Sequence, residues 1–151
     1  MFGRTFSENA YVLKCNNFNT GLVAAERLPA SGSFLPVHNY DGFVFLIGMG
    51  TLDSATTFTV YQDKGVTETS DIKVITGAVA IVADDDDNQW VSIEVAQERL
   101  DIANGFTHVT LVPSGAAGGN DYGCIFFIGL NPREVPVTQP ANYSQKIVVA
   151  G

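Results

Sequence analysis

The chain holds two cysteines, two histidines and one tryptophan in 151 residues. It has no Cys-x-x-Cys and no His-x-x-x-His, and neither His38 nor His108 has a partner at metal-ligand spacing. A structural zinc site is therefore not expected. Charge is scarce as well: 16% of residues are charged, where a soluble protein averages about a quarter. With 46% hydrophobic residues, that excludes a disordered chain and suggests that part of the surface is covered by something other than water. Basic residues are scarcer still, eight against sixteen acidic ones, for a net charge of −8. That balance argues against nucleic acid or an anionic membrane as the main partner. No apolar run approaches the ~20 residues of a membrane span. The opening Met1 to Lys14 has no stretch suited to a signal peptide, so synthesis and retention in a cytoplasm are expected. There is no Gly-x-Ser-x-Gly elbow and no phosphate loop.

What is present is strand pattern. Gly42 to Gly48 is a short apolar run between glycines, suited to a strand buried on both faces. Thr56 to Gln62 alternates, with Phe58 and Val60 inward and Thr57, Thr59 and Tyr61 outward. The connector from Met49 to Ala55 is turn-rich, which predicts a hairpin between these two strands. Asp71 to Ile75 alternates with Ile72 and Val74 inward, and Thr76-Gly77 then breaks the chain before Ala78 to Val82. Asp84 to Asn88 is a solvated acidic turn. It leads to Val91, Ile93 and Val95 on one strand face, with Trp90 and Glu94 on the other. Residues 96–103 form the one stretch with helical character, two turns at most, ended by Asn104-Gly105. Phe106 to Val112 turns Val109 and Leu111 inward, and Tyr122 to Leu130 reads as another buried strand. Short strands joined by Gly- and Asp-rich turns, without βαβ alternation, predict an all-β fold. The expected form is an antiparallel β-sandwich or jelly-roll-like barrel with extended N- and C-terminal arms.

Three regions follow. Residues 1–40 read as an N-terminal arm and edge strand, 41–131 as the sandwich core, and 132–151 as a C-terminal extended arm punctuated by Pro132, Pro136 and Pro140. Lys146 to Ala150 is expected to form a last short strand. Phe2, Phe6, Tyr11 and Phe18 lie in a weakly patterned segment. They bury either against a neighbouring subunit or on the chain's own sandwich.

Residue constellations that suggest chemistry each meet a plainer reading. Gly48 to Asp53 begins like a dinucleotide fingerprint but lacks the third glycine, and a strand pattern rather than a helix follows. Asp84 to Asp87 supply oxygens for a hard cation, yet consecutive residues on a short loop do not converge on one ion. His108, Asp101 and Ser114 form a triad on paper with no support from spacing. Cys124, in an apolar run, reads as a buried small hydrophobe. A pairing with Cys15 is not deducible from sequence, and in a cytoplasmic product both are expected to be free thiols. No catalytic, metal or cofactor-binding residue is assigned.

Seven segments carry a family resemblance. Val44 to Leu52, then Phe58 to Gln62, then Asp71 to Gly77 resemble small virion structural proteins of tailed bacteriophages. So do Val91 to Val95, Leu100-Asp101, Gly105 to Leu111, and Asn131 to Val137. The likeness covers residues 42 to 137. It implies a non-enzymatic capsid decoration, or cement, protein on the capsid exterior, made in the host cytoplasm. The implied partners are the major capsid protein and the chain itself as a homotrimer, with no cofactor. The candidate contact residues are Phe2, Phe6, Tyr11, Phe18, Trp90, Ile147, Val148 and Val149. Alternative readings are a tail, adaptor or spike component, or a small carbohydrate-binding sandwich that stacks sugars on Trp90 and Tyr61.

Overall fold

A computed structural model describes residues 6–17, 21–29, 32–115, 123–135, 137–141 and 143. A single helical turn, α1 (Phe6–Asn9), precedes eight strands: β1 (Ala10–Lys14), β2 (Leu35–Pro36), β3 (Tyr40–Met49), β4 (Thr56–Asp63), β5 (Lys73–Val82), β6 (Trp90–Ala96), β7 (His108–Ser114) and β8 (Gly123–Pro132). They form two four-stranded antiparallel sheets in the orders β1-β8-β3-β6 and β2-β7-β4-β5. Across the two sheets strand 8 lies beside 1 and 6 beside 3 in the first, and 7 beside 2 and 5 beside 4 in the second. The chain is thus one long antiparallel hairpin rolled into two layers, which is the winding of a jelly roll.

The inward faces follow the period-two pattern. Phe58, Val60, Val109, Leu111, Ile125 and Phe127 are fully buried, and Phe43, Phe45 and Ile47 join them from β3. Phe127 is the hub, with ring centroids 5.7 Å from Phe43 and 5.4 Å from Phe45. Tyr40 lies directly over Gly129, where an added Cβ would fall 2.6 Å from the ring. A side chain at 129 would evict a buried aromatic, so the glycine here is a packing requirement.

Several expectations are corrected. The segment 49–55 is not a hairpin. β3 is already paired on both sides, with β6 and β8, so the chain must leave that sheet and enter the other as β4. The crossing is pinned by Asp87, whose Oδ1 accepts the Leu52 N–H at 2.8 Å. The inward phase of β5 is also shifted: Ile75 is buried and Val74 is 42% exposed. Thr76-Gly77 does not end the strand but forms a bulge in it. Between the pairs Tyr61↔Val74 and Thr59↔Val79, one residue of β4 faces four of β5, and Gly77 takes φ 84° at the bulge. That resets the phase so that Ala78 and Val82 point inward. The two helical turns expected near 96–103 are present as 3₁₀ turns, Gln97–Arg99 and Ile102–Asn104, the second closed by Gly105 at φ 86°, whereas α1 had no signal in the sequence.

The N-terminal 40 residues supply one strand to each sheet, and Cys15, Leu22, Leu28, Phe34 and Val37 belong to the buried core. The described parts of both arms lie on the chain's own sandwich. Tyr11 is half-buried within ring contact of Tyr40 and Phe127, at 6.0 and 6.2 Å. Gln139 grips the outer edge of β1: its Oε1 accepts the Val12 N–H, and its Nε2 donates to the Ser7 and Ala10 carbonyls. The expected strand at 146–150 lies outside the described residues. Among the described residues no helix is long and apolar enough to cross a membrane.

Candidate interaction surface

The outward faces of the sheets carry the functional question. On the first sheet, outward positions follow from the register rows Gly42–Leu130–Ala96, Val44–Ile128–Glu94, Leu46–Phe126–Ser92 and Gly48–Cys124–Trp90. β1 adds Ala10, Val12 and Lys14 to these rows. An antiparallel sheet facing water normally turns polar residues outward. Here the two central strands are apolar on both faces; Leu46, Phe126, Ile128 and Leu130 are half-buried, and Val44 among them is buried. Lys14 and Glu94 are the charges on this face, both on edge strands.

At one end of the face stands Trp90, 60% exposed. Its ring leans across Gly48, where a Cβ would lie 2.9 Å from the indole and 3.0 Å from the Cys124 sulfur. Gly48, Gly50 and Gly123, with Met49, Asn88, Trp90 and Cys124, line an open groove of about 360 Å³. Gly48 is what leaves the trough its aromatic wall: a side chain there would fill the sheet surface that the Trp90 ring now leans across.

Of the expected contact residues, Trp90 and Phe6 are the exposed ones, Phe6 at 62%. Tyr11 is instead drawn into its own aromatic cluster. Phe2, Phe18, Ile147, Val148 and Val149 lie outside the described residues. Sequence pattern located Trp90 but missed the apolar outer face beside it. Leu46 and Phe126 fall in runs whose pattern reads as strands buried on both sides, and a run of apolar residues does not say what covers the second face. Cys124, expected to be buried, is half-exposed on that face, because its parity in β8 is opposite to that of Ile125 and Phe127. Cys15 is buried and its thiol is pushed up to about 12 by burial; both cysteines are free.

The other constellations are held apart. His108 and Ser114 sit at opposite ends of β7, roughly 20 Å apart at ~3.3 Å per residue. The Ser114 hydroxyl donates to the Thr57 carbonyl, and Asp101 accepts from Lys73 and Asn104. Burial, then the nearby His38, hold His108 below its usual value against the pull of Asp63. In the acidic turn, Asp86 accepts the Ala83 N–H and Asp87 that of Leu52, so these carboxylates are committed to backbone. Among the described residues no three His, Cys, Asp or Glu side chains converge as a metal site. Tyr61 points out from the second sheet and Trp90 from the first, so the two stacking platforms of a sugar site lie on opposite sides of the molecule.

No family model, no curated protein and no solved structure matches this chain.

Proposed function

We propose that the chain is a binding protein that acts through its sheet faces, and specifically a decoration protein on the exterior of a tailed-phage capsid. The observation that carries the reading is the outer face of the β1-β8-β3-β6 sheet, apolar along both central strands and ending in the Trp90 groove. Such a face is stabilised by contact with another protein surface. An exposed tryptophan beside a glycine trough has the form of a contact anchor. The jelly-roll winding adds support at the level of fold, since viral capsid domains use it, as do lectin domains and cupins. The net charge of −8 fits a protein that faces away from packaged nucleic acid. In this role the chain bridges neighbouring major capsid protein subunits and assembles with copies of itself. Many modest contacts repeated over a lattice then hold firmly.

The test is cosedimentation of the purified chain with undecorated tailed-phage heads, comparing the parent with Trp90→Ala. The side chain is 60% exposed, so its truncation leaves the fold intact. An aromatic anchor seated in a partner's pocket is worth about 2 kcal/mol or more, so the variant should bind roughly 30-fold more weakly. Failure of the parent to bind any head, or equal binding by Trp90→Ala, overturns the reading.

A further inference from the structure

At the opposite end of β6 from Trp90, the turn Gln97–Arg99 borders an open cavity of about 310 Å³. Gln62, the last inward residue of β4, and Lys73, its partner across the ladder in β5, line it together with Val74, Thr76, Glu98 and Arg99. Gln62 is 4% exposed, so its amide has left water and each end of it needs a partner. The Asp101 N–H donates to its Oε1 at 2.9 Å. That bond fixes which way the amide points, because the NH₂ end carries two hydrogens and cannot accept it. Nε2 then donates to nothing among the described residues, and the side chain borders the cavity.

The cations beside it are held in place. Lys73 Nζ is paired with Asp101 and lies 4.0 Å from the centre of the Phe106 ring. One Arg99 nitrogen donates to the Thr76 carbonyl at 3.1 Å. That carbonyl belongs to the β5 bulge, where Gly77 takes φ 84°. The bulge therefore does more than reset the strand phase: it anchors an arginine at the rim of the cavity. Arg99 forms no ion pair among the described residues, which leaves most of its donor fork open to a ligand.

We infer that this cavity binds one carboxylate group, gripped by the Arg99 guanidinium and the Gln62 Nε2 amide beside the Lys73 ammonium. The groups left without partners, on Arg99 and Gln62, are donors, so the ligand is an acceptor. A planar guanidinium fork matches the two oxygens of a carboxylate. Charge then selects among oxyanions. Asp101 already neutralises Lys73, which leaves Arg99 as the one unpaired cation of the lining, next to Glu98. A single negative charge is balanced there. A second, as on phosphate at neutral pH, would meet Glu98 and Asp101 with nothing to offset it. A small free acid and an acidic side chain of another protein carry the same group. The site is separate from the Trp90 groove and does not depend on what the first sheet binds.

NMR of the ¹⁵N-labelled full chain tests it, with acetate, phosphate or chloride added at neutral pH and constant ionic strength. Acetate should shift the Gln62 side-chain amide and the Arg99 Nε–H saturably, with half the effect at about 1–10 mM, the strength of a few charge-assisted hydrogen bonds in an open site. Phosphate should bind more weakly than acetate, and chloride should leave both signals in place. Arg99 is exposed, so Arg99→Ala keeps the fold, and it should weaken acetate binding by about tenfold or more. Arg99→Lys, which keeps the charge and loses the fork, should fall between the two. A blocked peptide with one glutamate separates the sources: tighter binding than acetate assigns the site to a protein partner, and equal or weaker binding assigns it to a free acid. Shifts that do not saturate, an equal response to chloride, phosphate binding more tightly than acetate, or Arg99→Ala binding like the parent overturns the inference.

Discussion

Asp63 shows how one buried carboxylate organises a loop. Burial pushes its pKa up, but the hydroxyl and N–H of Thr69 and the N–H of Lys64, at 2.6, 2.7 and 2.6 Å, outweigh burial and hold the carboxyl below its usual range. A folded-state carboxyl that binds its proton less readily than the unfolded one contributes stability above the unfolded pKa of about 3.9, and loses it as pH falls through the folded value. Asp63→Asn should cost about 1–3 kcal/mol at pH 7. The gap between variant and parent should close as pH is lowered through and below ~4. Urea unfolding at pH 7 and pH 3 measures both, and a gap that stays constant would show that the charge on Asp63 does not matter. The cysteines give a second residue-scale contrast. Cys15 is 1% exposed with its thiol pushed up to about 12, whereas Cys124 is half-exposed beside Trp90. A thiolate is the reactive species, so one thiol should react promptly with a colorimetric disulfide reagent in the native protein and two after unfolding. Prompt reaction of both would contradict the burial of Cys15.

At the scale of elements, strands were legible where one face is buried and the other is wet. Phe58 and Val60, and Val109 and Leu111, are inward as their alternation predicts, because β4 and β7 are flanked on both edges within their sheet and their phase is unbroken. The phase of β5 was not legible. Its bulge is set by how Val74 and Val79 pair with β4, and sequence alternation from Asp71 carries no mark of a reset three residues ahead. The connector 49–55 misled for a related reason: Gly and Asp announce a turn, but which sheet receives the chain depends on β6 and β8, which come later. The candidate surface was half legible, since Trp90 stood out and the apolar face beside it did not. β1 yields a prediction that differs from the one the arm pattern alone would suggest. Ala10 is 4% exposed and Tyr11 packs on Tyr40 and Phe127. Deleting residues 1–12 should therefore lower the stability of the isolated chain by a few kcal/mol, at roughly 1.5–3 kcal/mol per large side chain when fully buried. Thermal unfolding of the truncated monomer measures this. An unchanged midpoint would mean that the segment belongs to another subunit after all.

At the scale of the whole molecule, the rolled hairpin dictates how stability is distributed. The innermost strands, β4 and β5, are joined by a short connection, whereas in the outermost pair Ala10 meets Leu130, 120 residues later in the chain. Loop closure costs more as the closed segment lengthens, and sheets built from distant pairings form slowly. Flanking matters too. β3, β4, β7 and β8 have a strand on each side. β1 has β8 on one side, and Gln139 holds its other edge through the Val12 N–H and the Ala10 carbonyl. The inner faces of the doubly flanked strands also carry the fully buried Phe45, Phe58, Leu111 and Phe127. Native-state hydrogen exchange should therefore find the slowest amides in β3, β4, β7 and β8, opening only with global unfolding. Those of α1 and β1 should exchange faster, through local release of the outer pair. Gln139→Ala should accelerate exchange in β1 while leaving β4 unchanged, because the clamp touches one edge and not the core. If β1 proved as protected as β3, or if Gln139→Ala accelerated exchange throughout, the outer pair would be part of the cooperative core, and the layered order read from the winding would fail.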